Sequence, residues 1–216
     1  MTESDGTPDP GSAAPEEPKY ADRVYRSGPG IISGVLLLAV AGWLIVDAVI
    51  SGSGRTPWVA LAAAPVFAFP VIAYTLRPAV YANDRRLLVR NPLRTIDAPW
   101  SGVEGLKSGY SVELFAAGHK YQVWAVPVSI RQRKTARRRA DRARAAGDPG
   151  LTTRRPGDSD PTRAWSDQVV DELQEMASHR SAHAAAQGPV VVRWCWWVIA
   201  PTVLGLIALV ALVVTG

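Results

Sequence analysis

Three apolar runs, residues 31–50, 58–76 and 194–214, set the terms for this chain. Each approaches the roughly 20 residues that a helix needs to cross about 30 Å of hydrocarbon. In hydrocarbon every backbone N–H and C=O must be satisfied within the segment, so each run is expected to be a helix. The expectation is an α-helical polytopic membrane protein with three transmembrane helices. Between the second and third runs lies enough chain for one small water-facing domain. The chain then divides into a polar tail (1–29), a two-helix hairpin (30–76), a small β domain (77–128), two charged helices with a loop (129–189) and a third span (190–216).

Charge is segregated in the same way. Of 24 Lys and Arg, 20 lie from Arg77 to Arg193, with 12 of the 19 carboxylates, so this segment carries about +8 by side-chain counting. Lys19, Arg23 and Arg26 precede the first run, Arg77, Arg85, Arg86 and Arg90 follow the second, and Arg55 alone lies in the short connection between them. Cytoplasmic flanks carry the excess of Lys and Arg. The tail and central domain are therefore expected in the cytoplasm of a cell membrane, and the C-terminus outside. Residues 1–18 are acidic and rich in Pro, Gly, Ser and Ala, which reads as a disordered tail and not as a cleavable signal.

Polar groups within the runs are few. Asp47 lies about one turn from the outer end of the first, where it can reach headgroups or pair with Arg55. A transport path needs more polar groups than Tyr74 and Thr202 supply, so a transporter-subunit reading ranks low. Gly30 and Gly34 form a GxxxG, a packing signal. Pro65, Pro70 and Pro201 are expected to kink their helices. Cys195 is a lone thiol, read as a small apolar residue near the interface, with palmitoylation as the alternative.

The period changes after residue 78. Val80-Tyr81-Ala82, Leu87 to Arg90, Arg94 to Asp97, Ser111 to Phe115 and Tyr121 to Ala125 are short β-prone runs. Asn83-Asp84, Asn91-Pro92, Pro99 and Ala117-Gly118 punctuate them, and the pattern predicts an antiparallel meander. Ser101-Gly102-Val103-Glu104 has capping-box spacing and predicts one helical turn. His119 is read as a turn residue.

Two stretches carry a family resemblance. The run Tyr81-Ala82-Asn83-Asp84-Arg85-Arg86-Leu87-Leu88-Val89-Arg90-Asn91-Pro92-Leu93-Arg94-Thr95-Ile96-Asp97-Ala98-Pro99-Trp100-Ser101, with Trp124-Ala125-Val126 after it, resembles the PH-like domain of actinobacterial membrane proteins. The resemblance covers about 50 residues, the core of a small domain. It implies a PH-like fold beside membrane spans, and a fold does not by itself give function. The leading expectation is a cytoplasmic binding or scaffolding module of the envelope, with an accessory subunit of a transporter or envelope complex as the alternative. A full PH barrel has seven strands and a closing helix, whereas about five strands are legible here. Phosphoinositide-binding PH domains use a basic loop between their first two strands. Here that loop is Asn83-Asp84-Arg85-Arg86, so phosphoinositide specificity is not carried over.

Pro127 ends the last strand, and Ser129 to Gln132 has capping-box form, so a helix is expected over 130–146. It holds Arg131, Arg133, Lys134, Arg137, Arg138, Arg139, Arg142 and Arg144 against Asp141. Its apolar residues are mostly alanine, without the face of an inserting helix. With Arg85 and Arg86, these cations are the candidates for contact with lipid headgroups. A solvated basic face is the plain alternative. Nucleic acid ranks below lipid, since no aromatics interleave with the arginines. The partners expected are membrane lipids, with a protein partner or a second copy of the chain possible.

A second helix is expected from Asp160-Pro161 toward Gly188, with Trp165, Val169, Leu173 and Met176 as its core stripe. Asp171, Glu175, His179 and His183 recur at four-residue spacing. Such a column reads first as an exposed face and second as metal ligands, and a metal-dependent enzyme would need Glu175, His179 and His183 together. The chain has no GxSxG, HExxH, Walker loop or paired cysteines. No catalytic residue, metal or cofactor is therefore assigned.

Overall fold

The computed structural model describes residues 23–129 and 164–215, with positions 131, 134, 135, 138, 141, 142 and 145 between them. Strand β1 (Arg23–Tyr25) leads directly into helix α1 (Gly28–Ile50). Ser27 caps α1, its Oγ accepting from the Gly30 N–H at 3.3 Å. After a short connection, α2 (Thr56–Val71) runs back and continues as a π-helical turn, Ile72–Leu76. The Arg77 N–H closes that turn on the Ile72 carbonyl at 3.0 Å. Proline cannot donate to the ladder, and Pro65 and Pro70 both lie within α2.

Six strands follow: β2 (Ala79–Ala82), β3 (Arg86–Arg90), β4 (Arg94–Pro99), β5 (Val103–Ser108), β6 (Val112–Ala116) and β7 (His119–Val123). Helix α3 (Trp165–Arg180), strand β8 (Val191–Trp194) and helix α4 (Trp196–Val214) complete the described chain. All pairings are antiparallel, in a five-stranded sheet ordered β1-β2-β3-β4-β8 and a three-stranded sheet β5-β6-β7.

The core lies between these sheets. Val80, Leu87, Val89, Ile96, Leu106, Val112 and Leu114 are fully buried within it, from alternating positions of their strands. Each such side chain contributes about 1.5–3 kcal/mol on burial. Trp100 anchors the passage between sheets: it is fully buried, and its Nε1–H donates to the Asn83 carbonyl at 2.8 Å. Helix α3 covers the core with Val169, Val170, Leu173 and Met176. Its Glu172 takes the Tyr25 hydroxyl at 2.6 Å and pairs with Arg23, while Gln174 donates to the Leu106 carbonyl at 2.6 Å. Helix α3 thus joins the β1 edge of one sheet to β5 of the other.

Three helices, Gly28–Ile50, Thr56–Leu76 and Trp196–Val214, are long and apolar enough to cross a membrane. α2 is central and packs against both α1 and α4. At Gly205 an added Cβ would meet Pro65 Cγ at 2.5 Å and the Ala62 carbonyl at 3.0 Å, so this helix pair needs glycine. Gly34 lies against Thr75 and Leu76, and Gly30 faces the same turn, so both glycines of the GxxxG serve this contact.

Several expectations change. Among the described residues there are eight strands and not about five, because the segments flanking the helices supply β1 and β8, and β5 forms where a helical turn was expected. Trp194 belongs to β8, and α4 starts at Trp196. The expected helical turn at 101–104 is a 3-10 turn, Trp100–Gly102, followed by strand. Glu104 does not cap it; its carboxylate accepts from the Gly118 N–H across the hairpin at 2.6 Å. The Ala117-Gly118 turn forms with both residues at positive φ, 49° and 70°, which suits a tight hairpin. His119 is the first residue of β7 and stacks on Tyr121. Trp165 is substantially exposed, and Ser166 and Val170 face inward beside Val169. The expected start at Asp160-Pro161 lies outside the described residues.

Candidate functional site: the basic surfaces

The candidate cations fall into separate places. Arg131, Lys134, Arg138 and Arg142 are helical and exposed, and their spacing of three, four and four residues puts them on one face. Arg133, Arg137, Arg139 and Arg144 lie outside the described residues. Arg85 and Arg86 sit at the β2–β3 turn. Asn83 shapes that turn, its Oδ1 accepting from the Arg85 and Arg86 N–H groups at 2.9 and 2.8 Å. Arg86 is committed to Asp97, with its Nη1 3.2 and 3.0 Å from the two carboxylate oxygens. The side chain of Arg85 is exposed.

The direction of the strands decides what that turn can reach. β2 leaves α2 at Ala79 and reaches the turn after Ala82, so the turn lies at the end of the sheet away from the helices. The β3–β4 turn at Asn91-Pro92-Leu93 lies at the helix end. There Asn91 is buried and bridges to β7: its Nδ2 donates to the Gln122 carbonyl at 2.7 Å, and its Oδ1 accepts from the Trp124 N–H at 3.1 Å. Trp124 in turn meets Tyr74 of the π turn edge-on at 5.4 Å.

Sequence reasoning assigned Arg26, Arg77, Arg90 and Arg193 to orientation alone, yet the fold gathers them. Ala79, Arg90, Thr95 and Arg193 are cross-strand partners in one row at the helix end of the sheet. Arg26 and Arg90 both lie over the Tyr81 ring, 5.7 and 4.8 Å from its centroid, and both donate to its oxygen, Arg90 at 3.3 Å. Arg77 donates to Thr95 Oγ1 at 2.7 Å and to the Asn91 and Arg94 carbonyls. Burial lowers its pKa, and the Arg90 charge lowers it further, against a raising contribution from Cys195. No linear pattern marked this cluster, since its members come from four separate segments.

The remaining candidates are dispersed. Asp47 is exposed and accepts from Ser51, and Arg55 does not pair with it. Arg55 instead donates to the Leu212 carbonyl and Thr215 Oγ1, capping the end of α4. Cys195 is buried, packed with Ala73 and Val198, and its N–H donates to the Leu93 carbonyl at 2.8 Å. A lipid-modified thiol needs access that this one lacks. His183 lies beyond the end of α3, so the Glu175–His179–His183 column breaks. Among the described residues no three His, Cys, Asp or Glu come together as a metal site.

Two antiparallel sheets around one core, with a helix across both, are compatible with a small PH-like domain. Residues 77–153 match the model of the bacterial PH domain family, about a third of the chain. The match takes in β2 to β7, while β1, α3 and β8 lie outside it. Neither a curated protein nor a solved structure matches the chain. The family supports a binding or scaffolding module.

Proposed function

We propose that this is a multi-pass protein of the bacterial cell membrane that holds its PH-like module at the cytoplasmic surface, for binding to anionic lipid. Most large side chains on α1 and α4, including Leu36, Trp43, Leu204 and Ile207, point outward, a surface that hydrocarbon solvates and water does not. The observation that carries the lipid reading is the exposed stripe Arg131, Lys134, Arg138 and Arg142 beside a domain rooted in the helix bundle. Cations held near an anionic leaflet contribute up to about 1 kcal/mol each, and the attraction fades within a Debye length of about 8 Å. The orientation follows from the excess of Lys and Arg on the domain side.

The test uses the full chain in nanodiscs, because residues 77–190 alone would lack β1 and β8. A fluorophore at Ala145→Cys reports transfer to labelled headgroups. Transfer should rise when anionic lipid replaces part of the phosphatidylcholine, and should fall back as salt approaches about 1 M, where the screening length is about 3 Å. Transfer indifferent to lipid charge and to salt would sink the lipid reading.

A further inference from the structure

Arginines outside the basic helix make a more specific arrangement. Arg26 comes from the link between β1 and α1, and Arg90 from the end of β3, yet both reach one phenol oxygen. Their guanidiniums therefore stand within about two hydrogen-bond lengths, roughly 6 Å, of each other. Arg77 lies alongside, its donors spent on neutral oxygens. Among the described residues none of the three has a carboxylate partner. The carboxylates on the adjoining β4 and α3 are engaged elsewhere: Asp97 with Arg86, and Glu172 with Arg23. Arg26 and Arg90 share one phenol, and Arg77 acts on Arg90 from beside it; the like charges repel, and an anion from outside would relieve that repulsion.

The ligand class follows from the geometry. Guanidinium forks match phosphate oxygens in pairs, more specifically than an ammonium does. Tyr81 accepts from both arginines and keeps its own O–H proton to donate. The N-terminus of α1 begins at Gly28, two residues from Arg26, with no acidic residue in its first turn, so its positive end adds to the field. The cluster stands where three helices long enough to span a bilayer enter the domain.

We propose that Arg26, Tyr81 and Arg90 form a binding site for the phosphate of one anionic phospholipid. This rests on the membrane reading above but not on the basic stripe. The site is at the end of the sheet opposite the Asn83–Arg86 turn, and it ties the start of α1 to β2 and β3 through a lipid.

The experiment is native mass spectrometry and thermal unfolding of the delipidated full chain in neutral detergent. It is titrated separately with phosphatidylglycerol, phosphatidylcholine and inorganic phosphate. Phosphatidylglycerol should saturate at one retained lipid per chain with a raised unfolding midpoint, and the other two should not. R26Q/R90Q should weaken that binding about tenfold or more, as loss of charged hydrogen bonds predicts. A variant with Gln at 131, 134, 138 and 142 should keep the single lipid. R26K/R90K should fall between, and Y81F and R90K alone decide the matter if the double variants do not fold. If phosphatidylglycerol is preferred but R26Q/R90Q binds it as tightly as the unaltered chain, this site is wrong while the lipid reading stands. If the unaltered chain shows no preference for anionic lipid, the wider reading fails with it. If inorganic phosphate saturates the site equally well, the ligand is free phosphate and the lipid assignment is overturned.

Discussion

Ser166 shows how single residues bear on this fold. It lies in the first turn of α3, is fully buried, and its hydroxyl has no hydrogen-bond partner among the described residues. A buried hydroxyl without a partner carries a desolvation cost of about 1–3 kcal/mol, and alanine is the better helix former. Ser166→Ala should therefore stabilise the protein by about 1 kcal/mol in chemical unfolding; a loss of stability would show that the hydroxyl has a role. Tyr25 makes a prediction against pH. Burial raises its pKa above the ordinary phenol value, with the Arg23 charge opposing, so the folded state favours the neutral phenol that donates to Glu172. The stabilisation from a raised group is fully present below the unfolded pKa, about 10, and is lost as pH rises through the folded value. The difference in unfolding midpoint between the unaltered chain and Tyr25→Phe should be flat from about pH 7 to 9 and shrink above about pH 10. Neither behaviour was legible in the sequence, where Ser166 carries no distinguishing pattern and Tyr25 reads as a flanking aromatic.

At the scale of elements, what the sequence discloses depends on length and punctuation. The apolar runs and strands β2, β3, β4, β6 and β7 were legible, because period-two alternation and turn residues mark the strands. β5 was obscured by a local pattern: Ser101 and Glu104 have capping-box spacing, but Glu104 finds Gly118 across the hairpin instead. β1 and β8 have three and four residues, and each abuts a long apolar helix. Their pairing with β2 and β4 is a tertiary fact that periodicity cannot carry. The arginine cluster is hidden for the same reason, since register alone sets Arg90 beside Ala79 and Arg193 beside Thr95. The glycines of the helices are more readable, but their partners are not. Gly205→Val should force α2 and α4 apart at Pro65 and Ala62, costing about 1–3 kcal/mol by overpacking. Cysteine pairs placed across that contact should cross-link less efficiently in the variant; unchanged yield would mean that the helices do not meet at Gly205.

For the whole molecule, one sheet fixes the arrangement of all three long helices. The start of α1 follows β1, the end of α2 precedes β2, and the start of α4 follows β8. These three ends must therefore share one side. Arg55 confirms the opposite end, since it joins the α1–α2 connection to the last turn of α4. In sealed vesicles, cysteines introduced at Ser53 and Thr215 should be labelled from one side and a cysteine at Tyr110 from the other. Labelling of Thr215 and Tyr110 from the same side would refute the three-span arrangement. The buried Cys195 should stay silent in folded protein.

The β4–β8 pairing has a consequence for synthesis. Asp97 pairs with Val191, 94 positions later in the chain. At about 5–20 residues per second, a ribosome takes roughly 5–20 s to cover that distance. Throughout that interval β4 offers a free edge, the kind of template on which chains misassemble. The strand made last is the one that closes this edge, and it arrives just ahead of the final helix. A nascent chain stalled before residue 191 would thus expose an open sheet, while one released after residue 194 would not.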